Sequence, residues 1–337
     1  VPRLLRIDPT APDPAVLAEA AGALREGRLV AFPTETVYGL GALALDEAAL
    51  ARLYEAKGRP SHHPLIAHVD SEAQARGLAR SWPPTALRLA AAFWPGPLTI
   101  VVDRAPHVPA MVAGGAPSIA LRVPAHPVAR ALLAVLGAPV AAPSANRYQG
   151  LSPTTAAHVV KQLGDRVDLV LDGGPCDAGI ESTVVDARVE PARVLRPGAI
   201  GIEAMRSIVP NIDARAHTPP ADEKRPAPGM DARHYAPRAP LQIAPTAESA
   251  VATALAVSRR EGKAAGLVVR DPGTGSGAQG LVIRVLPRDA AGYARMLYAA
   301  LHDLDDLGVC AIVVQAVPDE PAWWAVADRL ARGSTAA

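Results

Sequence analysis

Residues 32–41 read Phe32-Pro33-Thr34-Glu35-Thr36-Val37-Tyr38-Gly39-Leu40-Gly41. The apolar run Leu29–Phe32 has the character of a short buried strand ended by Pro33. A turn dense in hydroxyls and glycines follows. Such a turn lets backbone and short polar groups approach a ligand closely, although an ordinary hydroxyl-capped turn has the same composition. Gly39-Leu40-Gly41-Ala42-Leu43-Ala44 has the spacing of a dinucleotide fingerprint with alanine in the last place. In a true fingerprint the first glycine follows the strand directly, and an acid stands about 20 residues further on. Here Pro33–Tyr38 intervene and the acid is missing, so these glycines identify no nicotinamide or flavin site.

On either side of this stretch the pattern is α/β. Residues 14–26 read as a helix stopped by Gly27, and Asp46–Ala56 as a helix with a capping Asp and Leu50, Leu53 and Tyr54 at helical spacing. Short apolar runs at Leu65–Val69, Leu98–Val102, Ile119–Val123, Val167–Leu171, Thr183–Val185 and Val194–Leu195 read as strands. Helical stretches over 84–93, 126–136 and 154–163 lie between them. Elements that interleave without a strict period predict a twisted mixed sheet with flanking helices. The character changes after Pro210. Residues 213–237 hold Pro219, Pro220, Pro226, Pro228 and Pro237 with charges between them, the composition of a semi-rigid linker. Beyond it, strands at Leu241–Ile243, Ala265–Val269, Leu281–Val285 and Cys310–Val314 alternate with helices over 246–261, 288–306 and 321–332. The expected organisation is an α/β domain over 1–212, a linker over 213–237 and a smaller α/β domain over 238–337.

Composition narrows the function. At roughly 100–200 residues per domain, 337 residues suit two domains. The 34 basic and 33 acidic residues leave a net charge of +1, far from a dedicated nucleic-acid binder and from a disordered chain. Two cysteines, Cys176 and Cys310, can build neither a disulfide scaffold nor a zinc site of several thiolates. His62, His63 and His68 have no Cys or carboxylate at ligand spacing, so no metal-ligand set from the protein is expected. The Gly273-Thr274-Gly275-Ser276-Gly277 loop lacks the lysine of a phosphate loop and reads as a flexible turn. Apolar stretches such as Ala131–Pro143 are too short to span a bilayer, and the first residues carry no signal-peptide core. A cytoplasmic protein is expected.

Only four of the basic residues are lysine, which gives Lys57 some weight. Lys57-Gly58-Arg59-Pro60 ends a helix, where cations complement the macrodipole. A Lys and an Arg two apart before a fixed turn also make a clamp for a polyanion such as a triphosphate. In Ala142-Pro143-Ser144-Ala145-Asn146, the Ser and Asn are turn formers or ligands for phosphate or ribose. Arg122 and Arg196 end strands, where a guanidinium suits carboxylate or phosphate.

Taken together, Pro33–Gly41, Lys57-x-Arg59-Pro60 and Ser144-x-Asn146 resemble the YrdC family of threonylcarbamoyl-AMP synthases. Phe93-Trp94-Pro95-Gly96-Pro97-Leu98-Thr99, Gly173-Gly174-Pro175, Glu181-Ser182-Thr183-Val184 and Leu195-Arg196-Pro197-Gly198 extend the resemblance over about residues 10–210. Pro228-Gly229-Met230 with His234-Tyr235-Ala236-Pro237 resembles the linker of the two-domain members, whose smaller C-terminal domain is Rossmann-like. The resemblance implies that L-threonine, bicarbonate or CO2 and ATP, with Mg2+, give threonylcarbamoyl-AMP and pyrophosphate. A transferase system then carries the group to tRNA, and direct tRNA contact is not required for the adenylating step. It also implies site residues. Thr36, His68, Arg122 and Ser182 match threonine-binding positions. Arg59, His63, Ser118, Ser144, Asn146, Ser152, Arg196 and the linker residue Tyr235 match nucleotide-binding positions, with Lys57 and Arg59 as the catalytic cations. The linker becomes a lid over the cavity. Two positions depart from the family: His63 stands where Asn is usual, and Ala142 where some members have Thr. The reading from another class is a non-catalytic RNA-binding module with a basic concave face, which the net charge of +1 supports little.

Overall fold

The apolar run before Pro33 forms a strand, and the glycine run after Tyr38 forms a second strand paired with it. The computed structural model describes residues 2–214 and 233–334. They fall into two compact units, residues 2–148 with 153–214, and 149–152 with 233–334. Of the expected linker, 215–232 lie outside the described residues, Pro228-Gly229-Met230 among them.

In the first unit the strands are β1 (Arg3–Arg6), β2 (Val30–Phe32), β3 (Gly39–Leu43), β4 (Ile66–His68), β5 (Leu98–Asp103), β6 (Ser118–Arg122), β7 (Val140–Ala141), β8 (Leu169–Asp172), β9 (Thr183–Asp186) and β10 (Arg193–Arg196). Their order across the sheet is β1-β8-β2-β3-β7-β4-β6-β5-β9-β10. Pairing is mixed: β4–β6 and β5–β9 run parallel, whereas β2–β3, β5–β6 and β9–β10 run antiparallel. This is the expected mixed α/β sheet.

The glycines of β3 have a packing reason. Val30 pairs with Gly41 and Phe32 with Gly39. A Cβ on Gly41 would lie 2.9 Å from the Phe32 ring and 3.0 Å from Val140. Helices Pro14–Arg25 and Pro127–Leu136 cover Phe32 through Leu17, Ala20, Leu24, Val128 and Leu132, so the hairpin is anchored in the core. By pattern alone Gly39–Leu43 reads as part of the turn, because glycine is rare in strand interiors. The short edge strand β1 and helices Glu72–Leu78 and Ile202–Ile208 are further elements that the pattern does not mark.

Helix Glu47–Lys57 is closed at both ends by its own sequence. The Asp46 carboxylate accepts from the Ala48 and Ala49 N–H groups, and Gly58, at φ 63°, reverses the chain so that Arg59 N–H reaches the Tyr54 carbonyl. Lys57 and Arg59 therefore flank one tight turn.

The second unit has a four-stranded parallel sheet of β11 (Leu241–Ala244), β12 (Ala265–Val269), β13 (Leu281–Val285) and β14 (Ile312–Gln315), ordered β11-β14-β12-β13. The Gly273–Gly277 loop is a succession of tight turns, closed by bonds such as Ser276 N–H to the Gly273 carbonyl.

Adding a methyl group separates the two kinds of glycine. Gly41→Ala should lower unfolding free energy by about 1–3 kcal/mol through overpacking. Gly22→Ala, mid-helix with nothing within 4 Å of the new Cβ, should raise it by about 0.5–1 kcal/mol. Urea denaturation of both variants checks the pair.

Candidate active site

Strand alternation puts Ser118, Ala120 and Arg122 of β6 on one face. Register carries that face across the sheet. His68 of β4 lies beside Arg122, Val101 of β5 opposite Ala120, and Thr99 beside Val184 of β9. The face has an apolar floor of Ile66, Val101, Ala120, Val184 and Leu195. Polar groups stand next to it.

Arg122 is the centre of the first group. Its guanidinium lies 2.7 Å from the Glu35 carboxylate, with only 4% and 12% of the two side chains exposed. It also donates to Thr36 Oγ1 at 3.0 Å and to the Gly96 carbonyl at 3.3 Å. Thr36 Oγ1 is 2.8 Å from Thr34 Oγ1, which donates to the Val37 carbonyl, so the turn is braced from within. Burial would raise the Glu35 carboxyl, but the Arg122 charge outweighs it and holds the group below its usual range. Burial, together with the Arg122 cation, pushes the His68 imidazole down to about 3. It is neutral at pH 7. On the same face Ser182 Oγ lies 2.8 Å from Thr99 Oγ1 and accepts from Arg196 Nη2 at 3.1 Å. Arg196 also donates to the Ser182 carbonyl at 3.0 Å.

A second group surrounds the Lys57–Arg59 turn. Lys57 Nζ donates to the carbonyls of Ser144 and Asn146, each at 2.5 Å. Burial, and then the nearby Arg59 charge, push the Lys57 ammonium well below its usual range. Arg59 donates to the Pro64 carbonyl at 3.0 Å and lies over the Tyr148 ring. The His63 ring meets Tyr148 edge-on. Backbone bonds join the two groups. Ala145 N–H donates to the Tyr38 carbonyl and Leu40 N–H to the Pro143 carbonyl, both at 2.8 Å, so the Pro33–Tyr38 turn and the Ser144–Asn146 loop lie side by side.

The structure thus brings Thr36, His68 and Arg122 together, joins Ser182 to Arg196, and gathers Lys57, Arg59, His63, Ser144 and Asn146. Ser118 stands at the far end of β6, about 13 Å from Arg122 at the strand rise. Ser152 and Tyr235 belong to the second unit, where Ser152 offers its carbonyl to His302 Nε2 at 3.1 Å. Tyr235, at φ 59°, is 2% exposed, with the Arg329 guanidinium 4.9 Å from its ring centre. The sequence reading did not single out Glu35, Thr99 or Tyr148. An acid inside a buried turn is the one signal that points to Glu35, since such a charge requires a partner. Cys176 is buried and its thiol is pushed up, so it stays protonated. Among the described residues no three of His, Cys, Asp and Glu converge into a metal-binding group, and no helix is long and apolar enough to cross a membrane.

The depressed His68 value gives a pH signature. Between pH 6.5 and about 3 the unfolded chain binds a proton that the folded chain does not, so stability rises with pH across that window. Glu35, also depressed, acts in the same direction at lower pH. His68→Gln should flatten the stability slope between pH 6 and 5 by up to about 1.4 kcal/mol per pH unit. Denaturation midpoints at both pH values measure this.

Comparison with known proteins covers both units. The family profile Sua5/YciO/YrdC, described as "Telomere recombination", matches residues 22–198. A profile described as "Threonylcarbamoyl-AMP synthase, C-terminal domain" matches 200–335. The threonylcarbamoyl-AMP synthase of Pyrococcus abyssi is 40% identical over 94% of this chain and 93% of its own. That of Bacillus subtilis is 37% identical over 94% and 92%. The crystal structure of P. abyssi Sua5 complexed with L-threonine matches with a TM-score of 0.90 at 37% identity, covering 99% of this chain and 97% of its own.

Proposed function

This chain belongs to the Sua5/YciO/YrdC family in its two-domain threonylcarbamoyl-AMP synthase form, and from that premise we propose how its residues share the work. The reaction joins L-threonine, bicarbonate or CO2 and ATP into threonylcarbamoyl-AMP and releases pyrophosphate. The observation that carries the division of labour is the pair of arginines, Arg122 and Arg196, held on one sheet face among the hydroxyls of Thr36, Thr99 and Ser182.

Arg122 takes the threonine carboxylate. Glu35 and Thr36 aim its fork, and neutral His68 with Ser182 provides short polar contacts for the amino acid. The threonine amine bonds to the carbon of CO2 and loses a proton. A carbamate oxygen then attacks the α-phosphorus of ATP, and the bond to the β-phosphate oxygen breaks as pyrophosphate leaves. Two anions must meet for this step, so fixed cations lower the barrier by offsetting their repulsion. Arg59, Arg196 and Lys57 supply them. Lys57 also fixes the Ser144–Asn146 loop, because two of its donors already hold that loop's carbonyls. Ser118, Ser144, Asn146 and His63 serve the nucleotide. Ser152 and Tyr235 are assigned to it on family resemblance alone, as is the lid role of 213–237, of which 215–232 lie outside the described residues; excluding water protects the labile carbamate and mixed anhydride.

The clustered residues offer no carboxylate set for a divalent ion, and Mg2+ is read as arriving on the ATP phosphates. A downstream transferase system receives the product. The site of action is the cytoplasm, where ATP, threonine and tRNA meet.

Pyrophosphate release should require threonine, bicarbonate and ATP together, and fall at least 100-fold in the Lys57→Ala/Arg59→Ala protein. Threonine-independent release would mean a different acceptor. Tyr235→Ala should weaken ATP binding and turnover; unchanged values would remove the linker from the mechanism.

A further inference from the structure

The second unit holds a group of polar side chains that the synthase reaction does not use. Arg270 follows β12 directly, and its N–H donates to the side-chain oxygen of Gln315, the last residue of β14, at 3.2 Å. Both therefore stand at the carboxyl edge of the parallel sheet, the edge where open α/β sheets hold their ligands. The Arg270 guanidinium lies over the Trp323 ring at 5.6 Å, and the Tyr293 ring meets Trp323 edge-on at 5.4 Å. Trp323 joins the two residues.

Arg270 and Tyr293 each carry one buried polar atom without a hydrogen-bond partner among the described residues. Tyr293 is fully buried, and its hydroxyl finds no partner among the described residues. Arg270 Nε is likewise buried without one. The nearest acid in sequence, Asp271, is engaged by Arg288 at 2.7 Å. Buried hydroxyls and guanidinium donors are almost always bonded in folded proteins, so two orphans around one indole call for an explanation. Arg270 Nε can only donate, from a cation, and the Tyr293 hydroxyl can donate as well. What satisfies both at once is an acceptor with negative charge and several oxygens. Burial raises the Tyr293 phenol, which stays protonated and able to donate.

We propose that Arg270, Tyr293 and Trp323 form an anion site at the carboxyl edge of the second unit's sheet, built for a phosphate-type group. Arg270 supplies charge and a directed N–H, Tyr293 a hydroxyl donor, and Trp323 the plane that holds the guanidinium in place. The group comes from free inorganic phosphate or from the phosphate of a small ester. The site is separate from the residues assigned to catalysis.

The test uses the full chain and the indole N–H resonance of Trp323, assigned with Trp323→Phe. Inorganic phosphate, and a phosphate monoester such as glycerol phosphate, are titrated at constant ionic strength against a chloride control. Saturable shifts with a midpoint below about 10 mM are expected, at least tenfold weaker in Arg270→Gln and several-fold weaker in Tyr293→Phe. Saturation by phosphate alone identifies free phosphate as the source; tighter binding of the ester identifies the ester. Pyrophosphate release should be unchanged in both variants, which separates this site from the catalytic one. Tyr293→Phe should also raise the Tm in phosphate-free buffer, because it deletes an unsatisfied hydroxyl. No saturable shift, an equal shift with chloride, or full retention in Arg270→Gln would overturn the proposal. So would a lower Tm for Tyr293→Phe without phosphate, since the hydroxyl would then already have a partner.

Discussion

The buried ion pair between Glu35 and Arg122 is the contact on which the arrangement of the first unit turns. Neither charge has enough water to be stable alone, and breaking such a pair by removing one partner costs about 3–5 kcal/mol. The pair therefore forces the Pro33–Tyr38 turn against the end of β6. Once the turn is there, its Tyr38 carbonyl accepts from Ala145 N–H of the Ser144–Asn146 loop, and that loop's carbonyls capture Lys57. A chain of short contacts leads from one carboxylate to the cations around the Gly58 turn.

This coupling leaves the cations of the cluster heavily buried. Arg59, Arg122 and Arg196 are each less than 10% exposed, and each is held by carbonyl, hydroxyl or carboxylate oxygens. Preorganised donors cost no reorganisation when charge develops, and their effect is larger away from water. The apolar floor of Ile66, Val101, Ala120, Val184 and Leu195 adds to that exclusion. Lys57 differs from the arginines. Its burial depresses the ammonium, and its bonds to the Ser144 and Asn146 carbonyls brace that loop.

Much of the fold was legible because local signals agreed with the tertiary result. Asp46 caps where a capping Asp should, Gly58 ends the helix, and the alternating runs of the second unit became four parallel strands. Gly39–Leu43 misled because its reason lies elsewhere, in the Phe32 ring and Val140 that fill the space a Cβ would need. Of the candidate site, the residue types and motif spacing were readable. Which residues meet was not. The Ser182–Arg196 contact depends on strand register between β9 and β10, and Glu35 on a partner 87 residues away in sequence, neither of which a local pattern contains.

In the proposed division of labour the Arg122 fork binds threonine and the Arg59 side binds the nucleotide. Arg122→Lys keeps a cation beside Glu35 but removes the planar fork that a carboxylate matches. Titration calorimetry of L-threonine and of ATP against this variant tests that division directly. Threonine affinity should fall at least tenfold, with ATP affinity changed less than twofold. Unchanged threonine binding, or an equal loss for ATP, would contradict it.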